Sequence, residues 1–376
     1  HEVERQVQPS GGLPFLNQFI AVNLQIPFQS AINGVNGKVY IQGIVEPDGS
    51  MTGLKVTRGL DSLCNQEAMR VMSLYKAWQP ALVKGEKVRQ QFAYPVTFKA
   101  SSPSNFDSTL MAYVDYYDTK LAPTANPKDY EYRMIRKLDK NGYINADVVS
   151  EQLKGKQWKE LGRVPFKRSE IWYKFNNAEG KKDSISAYEL AARDENASSY
   201  VTEHVFQQNG KVLKTTEYKG ISKVSQINEY DLNGMLKSMQ VYGDSSYTEA
   251  SWYDNGQMKA VVTYPVMNPL TKDFENVYTS LWDPSGIQLV KDGDGMWSSR
   301  TGYEMGVLIE EGKVVKGRKS GKWIGKWANG TTYYEEDYQE GILAEGTVYE
   351  DGNKRTYSQV KVSPKFKGGD KNFYKF

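Results

Sequence analysis

Residues 37–98 read GKVYIQGIVEPDGSMTGLKVTRGLDSLCNQEAMRVMSLYKAWQPALVKGEKVRQQFAYPVTF, and this stretch decides the fold of the leading part of the chain. Apolar and polar residues alternate over 39–45, which puts Val39, Ile41, Gly43 and Val45 on one face of a strand. Asp48-Gly49 supplies the positive φ that a tight hairpin requires, and a second alternating run continues to Val56. Ala68, Val71, Met72 and Tyr75 then recur at helical spacing, predicting a helix over 67–75. Pro80 forbids its continuation, and Trp78 at the exit reads as a plug between helix and sheet. A last strand over 88–98 contains Pro95. Proline cannot donate to a ladder, so this strand is expected at a sheet edge or at a bulge. An open edge is a template for another chain's strand, and proline at an edge also guards against aggregation. The residues alone leave both readings open.

The order of Gly37-Lys38-Val39, Asp48-Gly49, Glu67-Ala68, Trp78-Gln79-Pro80-Ala81, Gly85-Glu86-Lys87-Val88 and Tyr94-Pro95-Val96-Thr97-Phe98 resembles the TonB C-terminal domain family. The lead-in Gly11-Gly12, Phe15, Phe19-Ile20, Asn23 and Ile26-Pro27 does so too, and the resemblance spans about residues 7–99. It implies a small α+β domain, two helices on a three-stranded antiparallel sheet, in the periplasm of a Gram-negative bacterium. In the family this domain grips the TonB box of an outer-membrane transporter by adding a strand. Carried over, the contact positions are Gln25, Ile26 and Pro27, and in the last strand Gln91, Phe92, Ala93, Tyr94, Val96 and Thr97. The implied partner is an outer-membrane transporter or a protein of an envelope complex. A transducer of this family also has an N-terminal membrane helix and a long Pro-rich, Lys-rich spanner. Here the pattern starts close to His1, and no run of about 18 apolar residues crosses a bilayer. Either the anchor lies outside this sequence or no force is transmitted.

Beyond a boundary placed at 101–111, rich in Ser, Pro and Asn, one phrase keeps returning: a hydrophobic alternation, an Asn-Gly or Asp-Gly type turn, and a second alternation. The turns end at Gly142, Gly210, Gly234, Gly256, Gly286 and Gly352. They predict stacked β-hairpins in an extended antiparallel sheet, each too small to stand alone. With aromatic residues at 12 % of the chain, such a sheet has large rings to half-cover its faces. Over about 112–358 this segment resembles MORN-type repeats in the diverged YwqK form, closest at Trp252-Tyr-Asp-Asn-Gly256-Gln-Met-Lys259 and Gly321-Lys-Trp-Ile-Gly325-Lys-Trp327. That resemblance implies a protein-binding or spacer module. Pro364-Lys-Phe-Lys-Gly368-Gly369 with Phe373 and Phe376 repeats the lead-in of the first domain and reads as the start of a second TonB-like domain. The expected organisation is therefore 1–100, a linker over 101–111, repeats over 112–360, and 361–376 as that second start.

A net charge of +3 makes no case for nucleic acid. Glu310, Glu311, Lys313, Lys316, Arg318 and Lys319 mix signs and read as a solvated hairpin tip; Lys316-Gly-Arg-Lys-Ser-Gly-Lys322, the most basic stretch, reads as a solvated loop ahead of a contact with anionic lipid or peptidoglycan. The lone Cys64 excludes an internal disulfide and reads as a small buried residue. Of two histidines, His204 sits in an alternating strand, and no Cys/His cluster has metal spacing. Asp292-Gly-Asp-Gly295 lacks the downstream ligands of a calcium loop and reads as a turn. Neither an enzymatic activity nor a metal or other cofactor is expected. The expected function is a periplasmic interaction module that adds an outer-membrane partner's strand to its own sheet. The competing expectation is a structural subunit of an envelope assembly that transmits no force, and a glycan-processing enzyme ranks third.

Overall fold

The computed structural model describes residues 3–177, 181–194, 196, 199, 201–220, 223–265, 276–303, 305–350, 352–359 and 374–375. The expected second TonB-like start over 364–376 lies outside these apart from its residues 374 and 375. The chain divides into two compact units, 1–171 with 187–236 and 172–186 with 237–376.

The first unit opens with α1 (Leu13–Asn23), α2 (Phe28–Ile32), β1 (Asn36–Val45), β2 (Met51–Arg58), α3 (Ser62–Leu74) and β3 (Gln90–Lys99). The strands form an antiparallel sheet in the order β2-β1-β3. Alternation on β1 and β3 sends Val39, Ile41, Val45, Val96 and Phe98 to one face, where Leu16 and Phe19 of α1 and Val71 and Met72 of α3 cover them. Helix α3 begins five residues before the predicted start, because the Asp61 side chain caps it by accepting the Cys64 N–H at 2.7 Å. Cys64 is buried in this core. Trp78 is the plug its position suggests, with its ring 5.3 Å from Tyr75 and 4.6 Å from Phe92.

Two details differ from expectation. The short helix α2, entered through Pro27, adds to the two predicted helices. The single strand predicted over 88–98 is divided: Glu86–Val88 folds back on Ala81–Val83, and only Gln90–Lys99 joins the sheet. Lys84 and Gly85, both at positive φ, form the tight turn that diverts the chain there.

The rest of the first unit is built from hairpins. Phe106–Asp107, inside the stretch read as a linker, pairs with β4 (Ala112–Tyr117). Strands β5 (Tyr132–Lys137), β6 (Val148–Lys154) and β7 (Gln157–Val164) follow antiparallel in chain order. Residues 187–190 pair with β8 (Glu203–Gln207), which continues to β9 (Val212–Tyr218) and β10 (Val224–Tyr230). β11 (Leu236–Tyr242) starts on the last residue of the first unit, and with β12 (Ser246–Trp252), β13 (Met258–Pro265), β14 (Val277–Trp282), β15 (Gln288–Lys291) and β16 (Asp294–Tyr303) of the second unit it pairs successively. They continue through β17 (Gly306–Val315), β18 (Arg318–Trp327), β19 (Thr332–Gln339), β20 (Ile342–Glu350) and β21 (Asn353–Gln359). The fold is an α+β module followed by antiparallel β-hairpins.

The recurring phrase corresponds to one backbone device. At Asp231–Met235 the Asp231 N–H donates to the Met235 carbonyl at 2.8 Å and the Gly234 N–H donates back to the Asp231 carbonyl at 3.0 Å. The same pair of bonds closes the turns ending at Gly142, Gly210, Gly256 and Gly286, and also Trp327–Thr331, whose Asn329-Gly330 signal the sequence carries in plain view. The stretch 310–319 is not one solvated tip: Glu310 and Glu311 lie within β17, and the turn is Lys316-Gly317. Aromatic rings cover glycines directly across the ladder: Trp323 lies over Gly312, Tyr334 over Gly325, Tyr357 over Gly346, and in the module Phe92 over Gly43. A flat backbone patch and a large ring thereby bury each other on a sheet face.

Candidate functional site

Among the described residues strand β3 pairs with β1 alone, residue for residue from Asn36↔Lys99 to Val45↔Gln90, without a bulge. Of the two outcomes expected for Pro95, the edge is the one realised. Pro95 lies opposite Tyr40, whose carbonyl points the other way and accepts from Thr57 Oγ1 on β2 at 3.2 Å. The Tyr40–Pro95 pair is thus a non-hydrogen-bonded pair, and the missing N–H of proline costs the β1–β3 ladder nothing. By alternation, the main-chain groups of Gln91, Ala93, Thr97 and Lys99 face the open edge together with the Pro95 carbonyl. Among the described residues no main-chain hydrogen bond reaches that rim. The side chains of Gln91, Ala93, Thr97 and Lys99 are exposed.

The rim is bounded at both sides. At its start the Gln90 carboxamide is held by the leading segment: its Oε1 accepts the Val7 N–H at 2.6 Å and its Nε2 donates to Gln6. Along the inner face the Tyr94 hydroxyl donates to Asn17 of α1, and burial pushes the Tyr94 phenol above its usual range. The opposite sheet edge, β2, is a poorer template. Its register with β1 shifts twice, which twists its outer groups out of line.

The nine residues expected to touch a partner separate accordingly. Gln91, Ala93 and Thr97 stand on the rim. Phe92 and Tyr94 pack partly against the core, and Val96 is fully buried, so its side chain has no access to a guest. Gln25, Ile26 and Pro27 lie between α1 and α2, where the Gln25 N–H donates to Glu67 Oε1 of α3 at 2.6 Å. Among the described residues no hydrogen bond or ring contact joins these three to β3.

A second feature is not readable from local sequence. Met235, at the end of a hairpin turn, is 1 % exposed and belongs to the core of the leading module. Beside it the Leu236 N–H donates to Asn23 Oδ1 at 2.7 Å, while Asn23 Nδ2 donates to the Phe19 carbonyl at 3.0 Å. Arg70 of α3 donates to the Asn23 carbonyl at 2.6 Å and to the Gly234 carbonyl at 3.2 Å, and is clamped by Glu67. The turn before β6 docks likewise, with Gln29 Nε2 donating to the Lys140 carbonyl at 3.2 Å, and Phe28 also packs edge-on against Phe106 of the strand that precedes β4. No helix among the described residues is long and apolar enough to cross a membrane.

A three-stranded sheet backed by helices, with one regular edge unpaired among the described residues, defines a small α+β module. Residues 23–100 match the family model described as Gram-negative bacterial TonB protein C-terminal. The match covers the module from the end of α1 through β3 and supports a TonB-like envelope protein-interaction module there. No curated protein matches the chain.

Proposed function

We propose that the protein is a periplasmic interaction module that takes an extended segment of an outer-membrane or other envelope protein as a new strand along β3. The unbulged rim of Gln91, Ala93, Thr97 and Lys99, with Pro95 turned so that the inner ladder stays intact, carries this reading. Main-chain bonds supply affinity, and the exposed side chains on the rim set preference. The hairpin units, read as MORN-like repeats, supply reach or a further docking face. The reading assigns the chain no catalysed reaction.

A photo-crosslinker at Thr97, used in cells, tests it. Crosslinks to an extended segment of one envelope protein are expected, and Ala93→Pro should abolish them by deleting an outward donor while sparing the β1 ladder. Crosslinks indifferent to Ala93→Pro would overturn strand addition. Proline at Phe92 or Val96 is the wrong probe, because those N–H groups face β1 and their loss breaks the module's own sheet.

One observation favours the second reading, a structural subunit that transmits no force. Met235 and the Asn23–Arg70 network tie the module into the hairpin sheet of its own unit, so it is not a freely tethered domain. Whether a bound partner dissociates from purified envelope complexes separates the two readings: release points to transient docking, a stable stoichiometric complex to the subunit.

A further inference from the structure

We infer that the segment received at β3 is acidic at the end that lies beside Lys99; this rests on the strand-addition reading above. Strands β1, β2 and β3 carry four charged residues, Lys38, Lys55, Arg58 and Lys99. All four are cations, all are exposed, and none forms an ion pair among the described residues. The chain as a whole carries only +3, so this one sheet face holds more positive charge than the entire protein does net. Register puts Lys38, Tyr40 and Gln42 on the outer face with Lys99, Thr97, Pro95, Ala93 and Gln91, and Arg58 and Lys55 across from Tyr40 and Gln42.

The charge is not spread evenly along the rim. Lys99 is on β3 itself, and Lys38 lies opposite Thr97, making the two lysines diagonal neighbours roughly 7–8 Å apart at Cα. Thr97 is small, so the Lys38 stem can pass over it towards a guest strand. At the other end Gln91 and Ala93 are neutral, and Arg89, two residues before Gln91, is paired with Glu46 at 2.9 Å. Gln91 and Lys99 are about 27 Å apart at the rise of a strand. A guest therefore meets two unpaired cations at one end, on β3 and the strand beside it, whereas at the other end the unpaired Lys55 stands two strands in from the rim. An incoming carboxylate would be attracted by both lysines, most strongly at low salt. An anionic membrane is the less suited occupant: among the described residues no large exposed apolar side chain stands on these strands to enter a bilayer.

The test uses the whole chain and four synthetic eight-residue Ser/Thr peptides, fluorescently labelled. Two carry a pair of glutamates at the first or the last positions, and two carry glutamines there. Binding is read by anisotropy at low and high salt, with vesicles of phosphatidylglycerol as a separate probe. One glutamate peptide should bind about three- to tenfold tighter than its glutamine twin, and salt should erase the gap. Lys38→Glu with Lys99→Glu should invert the preference, so that each glutamine peptide binds at least as tightly as its glutamate twin. Equal binding of glutamate and glutamine peptides would overturn the inference and leave strand addition standing. Failure of all four to bind in the wild-type chain would count against both. Vesicle binding lost on the double charge reversal, without peptide discrimination, would reassign the face to lipid.

Discussion

The carboxamide of Asn23 accepts the backbone N–H of Leu236 at 2.7 Å across 213 residues of sequence, inside the protein. Asn23 is 2 % exposed, and its carbonyl, Oδ1 and Nδ2 are all engaged, so the contact is a fully satisfied junction between α1 and the hairpin turn. Met235 completes the hydrophobic side of the same junction.

Met235→Ala should therefore destabilise the first unit by about 2–5 kcal/mol, the range for emptying a packed methionine site. Asn23→Ala should cost about 1–3 kcal/mol by stranding the Leu236 N–H. The two share a site, so the double variant should lose less than the sum. Urea denaturation followed by tryptophan fluorescence measures all three.

Glycine turns that look alike in sequence should respond differently. Gly142 and Gly210 both have φ near +86°, at +87° and +85°. A Cβ on Gly142 would come within 2.8 Å of the Phe28 ring, whereas one on Gly210 meets nothing within 4 Å. Gly210→Ala should cost about 1–2 kcal/mol from the left-handed backbone alone. Gly142→Ala should cost more, by about 1–3 kcal/mol, through displacement of Phe28. Thermal denaturation of the two variants compares them directly.

A methyl group on Gly312 would fall within the Trp323 ring, which also donates its Nε1–H to the Lys313 carbonyl at 3.0 Å. Gly312→Ala should cost about 1–3 kcal/mol and alter the near-ultraviolet circular dichroism that reports the packing of that indole. An unchanged spectrum would mean that the ring is not held over the glycine.

Stability should fall in two separable steps on acidification. Burial between Tyr143 and Phe206 pushes the His204 imidazole from 6.5 down to about 4. The unfolded chain takes up that proton near pH 6.5 and the folded chain does not until about pH 4, so stability drops across that window and levels below it. The expected loss is about 3 kcal/mol. For Glu203, burial raises the carboxyl, but hydrogen bonds from Arg193, Ser199 and Tyr218 outweigh it and hold the group below 4.5. Its contribution is present above pH 4.5 and disappears as pH falls further. His204→Phe should remove the first step and keep the second, as read by urea midpoints across pH.

Much of this architecture is visible in local sequence, and the remainder is tertiary. Asp48-Gly49 and the Asn-Gly series mark hairpins because only certain residues accept a positive φ. Pro95 marks an edge strand because in a central strand its missing N–H would leave one of the two flanking ladders a donor short. Asp61 could have fixed the start of α3, since an aspartate three residues before Cys64 is a cap signal. Nothing local distinguishes the turn at Asp231, which docks on the module, from the similar turn at Gln207. That choice depends on which turn the folded sheet carries to Asn23 and Arg70. The separation of Ala93 and Thr97 from buried Val96 follows from alternation, but its phase relative to β1 needed the Tyr40–Pro95 register.

Residue-resolved amide hydrogen exchange on the purified chain tests the open rim most directly. The account predicts fast exchange at Gln91, Ala93, Thr97 and Lys99, and slow exchange at Phe92, Tyr94, Val96 and Phe98, whose N–H groups face β1. Slow exchange at Ala93 and Thr97 in the chain alone would contradict it, because those donors would already be bonded and no guest strand could use them.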